Sequence, residues 1–231
     1  MAFNIAIDGP AGAGKSTIAK AFAQRLSYIY VDTGAMYRAM ALYLLREGIS
    51  AEDEGGIEEA CERVDISLVH EDGVQKVLLN GEDVSSLIRS EEVGNMASKS
   101  AQNGKVREKL VELQRQLAAR TDVVMDGRDI GTCVLPKADV KIYLTASVHT
   151  RAVRRYKEYL DKGMEADLAR IEEDIEKRDH QDMNREISPL KRAADAVLLD
   201  SSDLTIEEVL DTMMEICKNK NLIVRTKLFT I

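Results

Sequence analysis

Residues 9–16 read Gly9-Pro10-Ala11-Gly12-Ala13-Gly14-Lys15-Ser16, which matches the phosphate-cradling pattern G-x-x-x-x-G-K-[ST]. Each fixed position has a mechanical task. The glycines let the backbone bend so that several N–H groups converge on phosphate oxygens. Lys15 supplies a mobile charge that reaches the β- and γ-phosphates, and the Ser16 hydroxyl can ligate Mg²⁺. A helix starting near Lys15 would aim its positive dipole end at the same phosphates. The short apolar run Phe3-Asn4-Ile5-Ala6-Ile7 suits a buried strand, and Ile18, Phe22 and Leu26 follow at helical spacing. Strand, loop and helix is the context the motif requires. Gly9 to Thr17 is therefore expected to bind a nucleoside triphosphate.

Three further polar clusters could carry chemistry. Asp32-Thr33-Gly34-Ala35-Met36-Tyr37-Arg38 follows a β-branched run, so Thr33 is expected to cap the next helix, and Arg38 offers a planar fork for phosphate. A capped helix with a surface arginine explains the segment equally well. Asp126-Gly127-Arg128-Asp129 ends another such run, which would bring Asp126 close to a bound Mg²⁺; the alternative is a tight polar turn with internal Asp–Arg pairing. Arg178, Asp182 and Arg185 share one helix face, and Arg151, Arg154 and Arg155 form a cationic ridge on the preceding helix. Most charged helices are solvated faces laced with weak ion pairs. Here the transfer of a phosphoryl group, whose spreading negative charge arginines stabilise, favours a functional reading.

These residues need a scaffold. Five short runs recur, at Phe3–Asp8, Tyr28–Asp32, Asp122–Asp126, Val140–Thr145 and Ala196–Asp200, mostly separated by helical patterns. The alternation predicts an α/β fold with a five-stranded parallel sheet. Ligands of such sheets sit outside the carboxyl ends of the strands, where Asp8, Asp32, Asp126 and Thr145 would gather. Residues from about 60 to 117 have another texture. Two strand-like runs are joined at Glu71-Asp72-Gly73, Asn80-Gly81 signals a hairpin, and Arg89–Leu117 returns as helix. Residues 150–192 carry eleven Lys/Arg and eleven Asp/Glu, as expected of two charged, mobile helices joined near Gly163. The expected organisation is one domain: core 1–59, 118–149 and 193–220, a β-rich insertion at about 60–117, and a charged helix pair at about 150–192.

Composition narrows the function classes. The 231 residues are 45% hydrophobic and 31% charged, with a net charge of −8, which is ordinary for a globular protein and wrong for a general binder of nucleic acid. Three cysteines without C-x-x-C spacing argue against a disulfide framework or structural zinc and for a reducing cytosol. No secretory signal or membrane span is expected. His70, His149 and His180 stand apart, without metal spacing. No obvious carboxylate base is present for a hydroxyl acceptor. That favours a phosphate acceptor, which is already largely dianionic at neutral pH.

Taken in order, the four motifs (Ile7-Asp8 through Thr17, Asp32 through Arg38, Asp126 through Thr132, and Arg178-Asp179-x-x-Asp182-x-x-Arg185) resemble those of the bacterial cytidylate kinases. The resemblance implies a P-loop kinase that moves the γ-phosphoryl of ATP onto CMP or dCMP with Mg²⁺, acting as a cytoplasmic monomer without nucleic-acid or membrane partners. It makes the insertion at about 60–117 a monophosphate-binding one and the charged helix pair at about 150–192 a helical lid. It implies that Gly9–Thr17, Arg151 and Arg155 hold ATP, with Ser16 on the metal. It places Thr33, Arg38, Ser98, Arg107, Arg128, Asp129, Arg178, Asp182 and Arg185 around the monophosphate. Lys15, Asp126, Arg128, Arg178 and Arg185 are the implied catalytic set. Two departures stand out: Thr33 replaces a common Ser and keeps the hydroxyl, and Cys133 stands at an often aliphatic position. The rival readings are another small-molecule P-loop kinase and a non-catalytic ATP-sensing regulator.

Overall fold

The computed structural model describes residues 2–71 and 74–219. The expected turn at Glu71–Gly73 lies partly, and the apolar tail 221–231 wholly, outside the described residues. In chain order the elements are β1 (Asn4–Asp8), α1 (Lys15–Leu26), β2 (Ile29–Asp32), α2 (Thr33–Arg46), α3 (Glu54–Arg63), β3 (Ile66–Glu71), β4 (Val74–Leu79) and β5 (Glu82–Asp83). There follow α4 (Glu91–Ser100), α5 (Gly104–Arg120), β6 (Val123–Gly127), β7 (Val140–Thr145), α6 (Val148–Asp161), α7 (Leu168–Asn184), β8 (Val197–Asp200) and α8 (Ile206–Asn219). The described residues group into two compact units, those up to 30 with those from 121 on, and those from 31 to 120.

The first unit is built on a five-stranded sheet of order β2-β6-β1-β7-β8, in which β6, β1, β7 and β8 run parallel. Its central strands bury Ile5, Ile7, Val124, Ile142 and Leu144, as a sheet covered on both faces demands, and keep Asp8 and Asp126 for their carboxyl ends. Helix α1 lays Ile18, Phe22 and Leu26 into that core. Full burial of Phe22 alone is worth about 1.5–3 kcal/mol. The helix stops where Ser27 turns left-handed (φ 57°) and its N–H closes onto the Gln24 carbonyl. The charged pair α6 and α7 starts on side-chain caps, Ser147 and Asp167. Despite their polarity the two helices meet along an apolar seam of Ala152, Ile171 and Ile175, flanked by Tyr156 and Tyr159.

The second unit has its own core around α2. Met36, Met40 and Leu44 are buried together with Ile57, Ile66, Leu79, Ile88 and Leu110. Because α2 and α3 bury these residues against the hairpin and α5, the unit begins at Val31, whereas the sequence pattern placed residues up to 59 with the core. Strands β3 and β4 pair antiparallel in the register Leu68↔Val77, and β5 extends them. The helix expected over 89–117 is two helices. Asn103 Oδ1 accepts from the N–H groups of Lys105 and Val106, so it starts α5 afresh after α4 ends. Thr33 is not the cap of α2. Asp32 is, its carboxylate accepting from Ala35 N at 2.9 Å, because Thr33 is already the first helical residue.

Candidate active site

The loop from Gly9 to Gly14 links β1 to α1 and passes hard against β7. At Gly9 (φ 152°) a Cβ would stand 1.9 Å from the Leu144 carbonyl oxygen, so only glycine fits. Gly14 takes a left-handed conformation (φ 80°) as the residue before α1, leaving the first N–H groups of the helix without side-chain caps. Lys15 is buried, and its Nζ donates to the Pro10 carbonyl at 2.7 Å, which holds the cation over the loop. Ser16 Oγ donates to Asp126 Oδ2 at 2.9 Å, and the hydroxyl of Tyr30 donates to Asp126 Oδ1 at 3.0 Å. The carboxyl ends of β1 and β6 thus meet the start of α1, as the strand pattern required.

Burial sets the electrostatics. It lowers the Lys15 ammonium to about 7, with Arg128 pushing the same way and Asp126, Asp8 and Asp182 opposing. Burial raises the Asp8 carboxyl to about 6, against hydrogen bonds from the Gly131 and Ile130 N–H groups. Both bonds are 2.7 Å long and fix the start of the π-helical turn Ile130–Val134, directly after Arg128-Asp129. Asp8 was legible as a strand-end carboxylate, but its two partners lie more than a hundred residues away. Tyr30 gave no sequence signal for its bond to Asp126.

The turn after β6 is tied to the end of α7. Arg128 Nε donates to Asp182 Oδ2 at 2.9 Å, so Arg128 pairs across the fold and not within its own turn. Arg185, the residue that ends α7, places Nη2 3.7 Å from Asp129 Oδ1, both side chains being buried, and its Nε donates to the Ser188 carbonyl. Arg178 lies one turn before Asp182 on the same helix and is half-buried. The expected ridge of Arg151, Arg154 and Arg155 does not form. Arg151 is buried under the loop, Arg154 donates to the Ser201 carbonyl at 2.7 Å, and Arg155 lies over the Tyr159 ring with Nε on its hydroxyl. Spacing along one helix could not reveal three separate destinations.

In the second unit, Thr33 is buried at the first turn of α2 and Arg38 is half-buried on the same helix. Arg107 is buried on α5, its guanidinium 5.8 Å from the ring centre of Tyr37. Ser98 is half-buried on α4.

A Mg²⁺ ion fits the donors of the first unit. Among the described residues no group of three or more His, Cys, Asp or Glu is arranged to hold a metal. One hydroxyl braced by one carboxylate suits an ion that keeps its waters and takes its remaining ligands from phosphates. Among the described residues no helix is long and apolar enough to cross a membrane.

A parallel sheet whose first strand runs into a glycine-lysine-serine loop, with arginines returning from a charged helix pair, is the architecture of the P-loop kinases. Two solved structures share the fold: shikimate kinase from Bacteroides thetaiotaomicron (TM-score 0.50, 13% identity, covering 94% of this chain and 98% of that one) and an uncharacterized protein from Eubacterium ventriosum (TM-score 0.51, 11% identity, covering 95% and 99%). At such identities the likeness is one of fold. The sequence is more specific: the chain belongs to the cytidylate kinase family, whose profile matches residues 5–219. It is 52% identical over 216 residues to the cytidylate kinase of Lactobacillus gasseri, covering 94% of each chain. It is 50% identical over 217 residues to that of Carboxydothermus hydrogenoformans (94% and 98%) and 49% identical over 218 to that of Bacillus subtilis (94% and 97%).

Proposed function

We propose that the protein transfers the γ-phosphoryl group of ATP to CMP or dCMP, giving ADP and CDP or dCDP. The observation that carries this reading is the Ser16–Asp126 contact at the mouth of the loop, beside a buried Lys15, in a chain of the cytidylate kinase family. The loop amides, Lys15 and Thr17 would hold the triphosphate, with Arg155 reaching it from α6. Ser16 would ligate Mg²⁺ and Asp126 would anchor the ion's water shell; the ion, when bound, neutralises charge on the phosphate oxygens.

Thr33, Arg38, Ser98, Arg107, Arg128, Asp129, Arg178, Asp182 and Arg185 are assigned to the acceptor. An acceptor phosphate oxygen attacks the γ-phosphorus, the bond to the β-bridging oxygen breaks, and ADP leaves. No base is needed, because the acceptor is already dianionic near pH 7. Arginines are the main stabilisers of the spreading charge. The charged helix pair serves as a lid that excludes water, which would otherwise take the phosphoryl group. The protein is read as a cytoplasmic monomer with no nucleic-acid or membrane partner.

The test is ADP release across CMP, dCMP, UMP, AMP and shikimate as acceptors. Turnover with cytidine monophosphates at least about tenfold above every other acceptor supports the reading. Preference for AMP or shikimate overturns it.

A further inference from the structure

Arg151 is 4% exposed, and three of its N–H groups are spent on protein. Nη1 donates to the Ala11 carbonyl of the phosphate loop at 2.9 Å. Nε donates to the Ala146 carbonyl at 2.9 Å, just past the end of β7. Nη2 donates to Asp179 Oδ2 on α7 at 2.6 Å, a charge-assisted bond between two side chains of which 4% and 12% is exposed. The stem of Arg151 also lies along Gly12, where a Cβ would be 3.5 Å from the arginine's own Cβ. One side chain therefore touches the loop, the strand end and both lid helices.

We propose that Arg151 is a positioning residue and that its pair with Asp179 sets the phosphate loop against α7. It would do so without touching the nucleotide, unlike the direct role that the resemblance gives it. The physical case rests on the loop's own chemistry. A loop that binds phosphate through N–H groups must turn its carbonyls away, and Ala11 O needs a donor on the far side. Lysine could not replace Arg151, because a point charge cannot meet three acceptors in a planar fork. Asp179 adjoins Arg178 and lies three residues before Asp182, so the same bond fixes the register of the helix that carries both. A misplacement of about 1 Å is enough to cost roughly a hundredfold in a phosphoryl-transfer site. The inference rests on the reading of the loop as an ATP site.

The experiment is calorimetric binding of a non-hydrolysable ATP analogue, without any acceptor, to wild type, Arg151→Met, Asp179→Ala and the double variant. Hydrogen exchange of the amides of residues 11–16 is followed on the same samples. Each single variant is expected to weaken binding about tenfold and to speed exchange, as coupling of this size allows. The double variant should be no worse than the weaker single, and Arg151→Lys should not rescue. If only Arg151→Met loses affinity, the guanidinium contacts the nucleotide directly and the proposal falls. It also falls if melting temperatures drop while affinity stays within twofold. Should either single variant fail to fold, Asp179→Asn, which keeps the shape and removes the charge, carries the comparison. Loss of analogue binding by the wild type would instead overturn the reading of the loop itself.

Discussion

Ser16 Oγ and Asp126 Oδ2 stand 2.9 Å apart although 110 residues separate them in the chain. The contact joins the first turn of α1 to the end of β6, with Tyr30 bracing the other carboxylate oxygen at 3.0 Å. A hydroxyl held this way is presented to an ion in one orientation. Asp126→Asn is therefore expected to raise the Mg²⁺ concentration needed for half-maximal nucleotide binding by about ten- to hundredfold. Tyr30→Phe should produce a smaller shift in the same direction. A fluorescent ATP analogue titrated at increasing Mg²⁺ reads both, and an unchanged midpoint in Asp126→Asn would exclude the role.

The depressed Lys15 gives nucleotide binding a proton signature. With burial holding the ammonium near 7, much of the ligand-free protein carries a neutral lysine at pH 8. A triphosphate favours the cation, so binding at pH 8 should take up a proton, and binding at pH 6 should take up almost none. Calorimetry in two buffers of different ionisation enthalpy measures the uptake, and Lys15→Met should abolish it. For stability of the ligand-free fold the sign is also fixed. The unfolded lysine titrates near 10.5, so its burial penalty is full below pH 7 and fades as pH rises from 7 to 10.5.

Asp8 behaves in the mirror sense. Its carboxyl titrates near 6 in the fold and near 3.8 when unfolded, so this group lowers stability progressively from pH 3.8 to 6 and fully above. Yet its removal should not stabilise. Asp8→Ala would leave the buried N–H groups of Ile130 and Gly131 without acceptors, at about 1–3 kcal/mol each, offset in part by relief of the buried charge. A net loss on the order of 2 kcal/mol would lower the melting temperature by about 4–8 °C. The turn after Arg128-Asp129 would loosen with it, raising the KM for the acceptor. Scanning calorimetry and initial rates test the two halves, and a higher melting temperature would contradict the account.

Arg178→Ala should act on turnover and spare the fold. The side chain is half-buried on α7, outside the seam that holds α6 and α7 together. Loss of an arginine that stabilises a transferring phosphoryl group is expected to cut kcat by at least about a hundredfold, and the melting point should move by no more than about 2 °C. Turnover within a few-fold of wild type would remove Arg178 from the catalytic set.

Local signals carried most of the scaffold. The five strands, the loop and α1 follow from apolar runs and fixed spacing, and Asn80-Gly81 marks the end of β4. The start of the second unit was not legible, because α2 has an amphipathic pattern that fits either core. It is settled only by Met36 and Leu44 packing with Ile66 and Leu110. The break between α4 and α5 is made at Asn103, whose side chain starts the second helix beside Gly104, although apolar residues continue at helical spacing on both sides. At the site, motif residues were found by type, but their partners were not. Arg128 with Asp182 and Arg151 with Asp179 are pairings across tens of residues, and an arginine's spacing on its own helix does not say which way a long side chain turns.

The apolar seam inside the charged helix pair has a mechanical corollary. Ala152, Ile171 and Ile175 join α6 and α7 into a hairpin through a seam that contains none of the pair's arginines. Packing and charge are thereby separable traits of this helix pair. Enlarging Ala152 or trimming Ile175 would alter the packing between the two helices with every charged side chain of the pair left in place, so seam and charge can be varied by separate substitutions.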